Sequence, residues 1–206
     1  MEVSATASNG RYFLNSDIGN YSVAIDTTNK PYVANCKLDT NLNIAAPDTF
    51  VQNIDFALEC RAGYDVGTKS IHSSGMVFPG QQHSLQINAG DMSNYYGLQC
   101  ASGVSGTVTV NITGPVQYSG VDSNALSPTV SGLSFTYSIA DFGNVLMNSD
   151  FGLLFTVDTS AQSGDQICVN VITDPISQDN VPSNNNYTQC YSVVNSYDPN
   201  NKLVYP

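Results

Sequence analysis

Tryptophan is absent from this 206-residue chain, and bases are scarce: six Lys and Arg stand against 17 Asp and Glu, a formal net charge of −11. A surface of that sign repels nucleic acid and anionic lipid, and no Lys/Arg cluster offsets it, which argues against nucleic-acid binding. Histidine is nearly missing, with only His72 and His83. No CxxC occurs among Cys36, Cys60, Cys100, Cys168 and Cys190, and none of them stands at zinc-ligand spacing from a histidine. No apolar run approaches the ~20 residues of a membrane-spanning helix, so the chain is not expected to span a membrane. The N-terminus "MEVSATASNG" lacks the basic start and apolar stretch of a secretory leader, so an exported protein is expected to be represented here by a mature or excised segment. Charged residues make up only 11%, which leaves Ser, Thr, Asn, Gln and Gly to build the surface, while 41% hydrophobic residues suffice for a core. Acidity and cysteine usage together suit disulfides in an oxidising, extracellular or cell-surface setting, with one cysteine left over.

Helical periodicity is also almost absent, and alternation takes its place. "NYSVAID" puts Tyr21, Val23 and Ile25 on one face, and "NIDFALEC" does the same with Ile54, Phe56, Leu58 and Cys60. "HSLQINAG", "GTVTVNITG", "SFTYSIADFG" and "FGLLFTVD" repeat the pattern, as in Val108, Val110 and Ile112 against Thr107, Thr109, Asn111 and Thr113. A period of two is that of a half-buried strand. Gly, Pro, Asn, Asp and Ser fill the gaps as turn residues. Strands without intervening helices predict an all-β chain with antiparallel sandwich architecture. Folding "GDQICVNVITD" against "NYTQCYSVV" about Asp179 and Asn180 places Cys168 opposite Cys190, and a cross-strand disulfide is expected there. A boundary falls near residues 61–65, where "RAGY" ends one pattern and "DVGTKSIHSSGMVFPGQ" starts another.

Three motifs, "VFPGQQHSLQI", "SGLSFTYSIADFG" and "GDQICVNVITDPISQDNVPSNN", give residues 65–194 a resemblance to the Ig-like extracellular repeat domains of the DUF11 type in bacterial surface proteins. The exit "VVNSYDPNNKLVYP" is similar to module junctions of very large secreted proteins of Bacteroidetes-like bacteria. The first segment, from "SNGRYFLNSDIGNYSVAID" to "NIDFALEC", resembles the second half of a prealbumin-like module of the CnaB or SdrD-B type. The resemblance implies a partial prealbumin-like β module at 1–62, an Ig-like β-sandwich at 63–195 and an exit linker at 196–206. It carries no shared catalytic residues. The early strands of a complete prealbumin-like module are lacking, which implies either truncation or a strand supplied by a neighbour, with a homo-oligomer built through that edge. The intramolecular isopeptide bond of some CnaB domains needs an early-strand lysine, and no lysine precedes Lys30 in its turn-like "TTNKP".

Several residue groups invite a chemical reading. Asp174, Asp179, Asn180, Asn184 and Asn185 crowd one bend, and oxygen ligands of this kind suit calcium, although the EF-hand spacing is missing and the same residues are turn formers. No other cofactor is expected. His72 precedes Ser73 and Ser74, but no G-x-S-x-G turn or orienting acid accompanies them, and His83 reads as a solvent-side residue. With 12 tyrosines available, Tyr95 and Tyr96 of "NYYG" could stack against a glycan; the bland alternative is one ring in the core and one outside. Cys60 and Cys100 each end a similar stretch, "ALEC" and "GLQC", and a bridge between them would join the two modules, with Cys36–Cys60 as the rival pairing. Asn20, Asn111 and Asn186 match the N-glycosylation pattern, which matters only in a eukaryotic secretory route. The expectation is a non-enzymatic, disulfide-stapled spacer or adhesion stalk whose partners are neighbouring modules. The alternatives are a glycan- or surface-binding module and a fibre subunit.

Overall fold

Alternating apolar residues settle into strands throughout the structure, a computed structural model that describes residues 12–36, 39–47, 49, 51 and 54–194. The expected exit segment at 196–206 lies outside the described residues. Every strand pair with a described register is antiparallel, and the helical content of the described residues is three short 3-10 turns.

The chain divides into two compact units, one drawn from residues 1–28 and 33–59, the other from 29–32 and 60–206. The first unit holds β1 (Gly19–Ala24) and β3 (Asp39–Ile44), paired so that Tyr21 faces Leu42 and Val23 faces Thr40. Tyr21 and Val23 are half-buried while Ser22 and Ala24 are exposed, the signature of a ribbon covered on one face. β2 (Tyr32–Cys36) pairs with β4 (Ala57–Cys60). The alternation of Ile54 and Phe56 lies ahead of β4, not within it.

The second unit is a two-sheet sandwich. Its four-stranded sheet runs β5 (Val66–Ser73), β6 (Gln82–Asp91), β11 (Phe151–Val157), β8 (Val116–Val121). Its five-stranded sheet runs β13 (Asn186–Ser192), β12 (Gln166–Asp174), β7 (Gly106–Thr113), β10 (Ser134–Ile139), β9 (Thr129–Ser131). The inward residues of both sheets form one core, with Leu85, Ile87, Phe151, Leu153 and Phe155 facing Val108, Val110, Phe135, Tyr137, Val169 and Val171. Two ring pairs join strands of opposite sheets: Tyr137 stands edge-on to Phe151 at 5.0 Å between centroids, and Tyr118 lies 4.7 Å from Phe135. Aromatic pairs of this geometry add about 0.5–1.5 kcal/mol beyond the area they bury.

His83 differs from its expected place. It is 4% exposed, its Nε2 accepts from the Phe78 N–H at 3.3 Å, and its ring lies 5.6 Å from that of Phe155. The alternation that puts Leu85 and Ile87 inside also puts His83 inside, two residues earlier on the same face.

Candidate functional site

The chain begins the sandwich at Arg61–Asp65, and this stretch is tied to the loop between β12 and β13, over a hundred residues later. Gly63, at φ 90°, comes so close to the Gln178 carbonyl that a Cβ would collide with it. The Tyr64 N–H donates to Gln178 O at 3.3 Å, its carbonyl accepts from the Asn180 N–H at 2.7 Å, and its hydroxyl donates to Ser177 O. The Asp179 carboxylate accepts from the N–H groups of Val66 (3.0 Å) and Val181 (2.8 Å) and from Asn185 Nδ2 (3.2 Å). Asn185, 1% exposed, also donates to the carbonyls of Val66 and Thr173. Asn184 Nδ2 donates to Asp65 Oδ1 at 2.8 Å, and Gly67 leaves the room that the Asn184 amide fills.

Of the candidate calcium ligands, Asp179 thus spends both oxygens on N–H donors, Asn184 turns its amide to Asp65, and Asn180 buries an Nδ2 without a hydrogen-bond partner. Asp174 ends β12, exposed, before a cis peptide to Pro175. Among the described residues no group of three or more His, Cys, Asp or Glu is placed to hold a metal ion. The residue that the sequence reading missed is Asp65. It is 3% exposed, and burial, with Asp179 and Asp91 nearby, raises its carboxyl to about 6 despite the Asn184 hydrogen bond. It looks like any loop aspartate until its partner 119 residues away is known.

A second feature follows β6. Met92–Tyr96 form a 3-10 turn with Asp91 as its N-cap and Gly97, in the left-handed region at φ 73°, as its C-cap. Asp91 is fully buried: Oδ1 accepts from Ser93 N–H at 2.9 Å and Oδ2 from Ala101 N–H at 2.8 Å. Ser93 Oγ accepts from the Cys100 N–H at 2.8 Å, and Cys100 is disulfide-bonded to Cys60. An Asp five residues before a Tyr-Gly pair is a capping signal that could have located this turn. Tyr95 and Tyr96 leave it 41% and 39% exposed, so neither is a core ring. Lys69 Nζ sits 3.2 Å from the Tyr95 ring centroid, a cation–π contact. The Tyr96 ring meets that of buried Tyr32 edge-on at 4.6 Å. Arg61 Nε donates to Lys30 O at 3.0 Å, and its Nη2 reaches the Tyr32 carbonyl at 3.4 Å.

Cys168 and Cys190 are bonded across directly paired residues of β12 and β13. Cys60 is bonded to Cys100, which displaces the Cys36–Cys60 pairing; both cysteines belong to the second unit, so this bridge lies within that unit. Of the residues around His72, Ser70 places its Oγ 3.0 Å from the His72 Nε2, and Ser74 Oγ accepts from the Ser84 N–H. Two surface depressions, of about 470 and 290 Å³, are lined by residues such as Gln117, Thr156 and Asp158, and Ser84, Asp122 and Asn148.

No protein-family model matches the chain, and no curated protein matches it. Among solved structures, the chain is similar to a cohesin module from a family 33 glycoside hydrolase of Clostridium perfringens, at 11% identity and a TM-score of 0.31, over 66% of this chain and 100% of that one. It is also similar to domains 4 and 5 of the S-layer protein SbsC, at 10% identity and a TM-score of 0.28, over 93% of this chain and 78% of that one. Likenesses this slight carry no argument about what the present chain binds or does.

Proposed function

We propose that the chain is a non-enzymatic structural module of an extracellular bacterial surface protein, a disulfide-stapled spacer or stalk between neighbouring modules. The observation that carries this reading is where the two disulfides lie. Cys60 stands where the main segment of the sandwich begins, and Cys190 stands in β13, its last strand. Tension from flanking modules would reach the sandwich at those two places. An edge strand such as β13 is the first to peel, and a covalent bond to β12 stops it. Disulfides also persist only in oxidising surroundings, which fits a place outside the cytosol.

Single-molecule stretching of the chain between flanking handles tests the proposal. The bridges span separations of 40 and 22 residues. At about 3.5 Å per extended residue, reduction should lengthen the unfolded chain by roughly 200 Å and lower the unfolding force. Equal extension and equal resistance with and without reductant would refute the mechanical role. A second reading, a surface-binding module, is favoured by the two half-exposed tyrosines on a turn that is already braced.

A further inference from the structure

We infer that the Tyr95–Tyr96 turn is a receptor for a short, carboxylate-bearing saccharide such as a uronic acid oligomer. This deepens the surface-binding reading and rests on it. The distribution of charge is the first support. From Ser70 to Asn201 the sequence has no Lys or Arg at all. The bases among the described residues are Lys30, Arg61 and Lys69. Arg61 binds the carbonyls of Lys30 and Tyr32, Tyr32 packs on Tyr96, and Lys69 covers Tyr95. Among the described residues, Lys69 thus holds its charge on Tyr95, and Arg61 is bonded to the carbonyl of the residue whose ring meets Tyr96.

Chemistry supplies the second support. An ammonium held over a ring face keeps N–H donors for an anion, and a lysine is a compact, strongly hydrated point charge. Tyrosine offers a flat apolar face to sugar C–H groups and a hydroxyl to their oxygens. A neutral glycan would use the rings and leave the cation idle. A long, stiff polyanion would overhang the acidic sandwich and be repelled. A short acidic saccharide uses both ring and cation. The turn is also braced before any ligand arrives, by Asp91, Ser93 and the Cys60–Cys100 bridge, so little ordering cost attends binding.

The test titrates the full chain with trigalacturonic acid and with its neutral methyl ester, by calorimetry and by amide NMR shifts. The acid should bind with shifts centred on Lys69 and Tyr95–Tyr96. The ester should bind at least tenfold more weakly, and added salt should weaken binding of the acid. Lys69→Gln should lose about tenfold, and Tyr96→Ala at least as much. The wild-type shift map serves even if a variant fails to fold. Equal binding of acid and ester at the turn, unaffected by Lys69→Gln, would overturn the inference and leave the surface-binding reading standing. No shift at the turn with either probe would overturn the inference. Self-association that Lys69→Gln abolishes, without saccharide binding, would assign the patch to a second copy and overturn the inference as well.

Discussion

At the scale of single residues, Asp65 is a carboxylate whose charge is costly to bury. Its carboxyl is raised from 3.8 to about 6, first because it is buried and then because Asp179 and Asp91 repel its charge. The sign follows from linkage. Below about pH 4 the carboxyl is protonated whether the chain is folded or not, and it costs nothing. Between about pH 4 and 6 the unfolded chain gives up the proton first, so stability falls as pH rises; above 6 the whole cost is present. Asp65→Asn keeps the acceptor that Asn184 uses and removes the charge. After allowing for screening by neighbouring polar groups, the gain should be about 1–2 kcal/mol at pH 8 and near zero at pH 4. Thermal melts should accordingly show Tm higher by roughly 3–6 °C at pH 8 only. An unchanged melt at pH 8 would mean that Asp65 is ionised at no cost.

At the scale of elements, β13 is an edge strand held in three ways. It has its ladder to β12, its disulfide to Cys168, and the Tyr191 hydroxyl, which reaches across to β5 and donates to the Ile71 carbonyl at 2.8 Å. Burial, helped by neighbouring Tyr187, pushes that hydroxyl up to about 12 despite an opposing backbone hydrogen bond. Replacing both cysteines, as Cys168→Ala with Cys190→Ala, should cost about 2–4 kcal/mol. Tyr191→Phe should cost about 1–2 kcal/mol, because the Ile71 carbonyl loses its partner. Denaturant melts measure both, and hydrogen exchange should quicken in β13 before the other strands. Equal exchange throughout would mean that β13 is not the weak edge.

The elements also explain what could be read in advance. β7, β10 and β11 alternate cleanly because each has one face in the core, and that pattern is visible in "GTVTVNIT", "SFTYSI" and "FGLLFTV". β5 escaped notice because Val66, Gly67 and Thr68 are all buried and the register shifts between Thr68 and Ser70. β8 has only Val116 buried, and its register with β11 shifts between Leu154 and Phe155, where Gly120 and Tyr118 pair and Ser119 is skipped. The Asp65–Asn184–Asn185–Asp179 network was out of reach for a different reason. Each residue alone is an ordinary turn former, and their pairing is set by the closure of the sandwich over more than a hundred residues. Tyr95 and Tyr96 could be picked out as rings, but the cation over Tyr95 could not, since Lys69 reaches the turn only once β5 lies beside β6.

At the scale of the whole molecule, a net charge of −11 acts on stability and on recognition with opposite signs. Like charges spread over a folded surface repel one another, and unfolding relieves that repulsion by spacing them out. Added salt shortens the reach of the repulsion, from about 10 Å at 0.1 M to about 3 Å at 1 M, so salt should stabilise the fold. Raising NaCl from 50 to 500 mM at pH 7 should lift Tm by roughly 1–3 °C, the equivalent of about 0.5–1 kcal/mol. The same salt screens the attraction between Lys69 and an anion and should weaken its capture. Near pH 4, where most carboxylates take up protons, the stabilising effect should vanish. Melts across a salt series at both pH values decide the matter. A fall in Tm with salt at pH 7 would mean that attractive pairs, and not repulsion, dominate the surface.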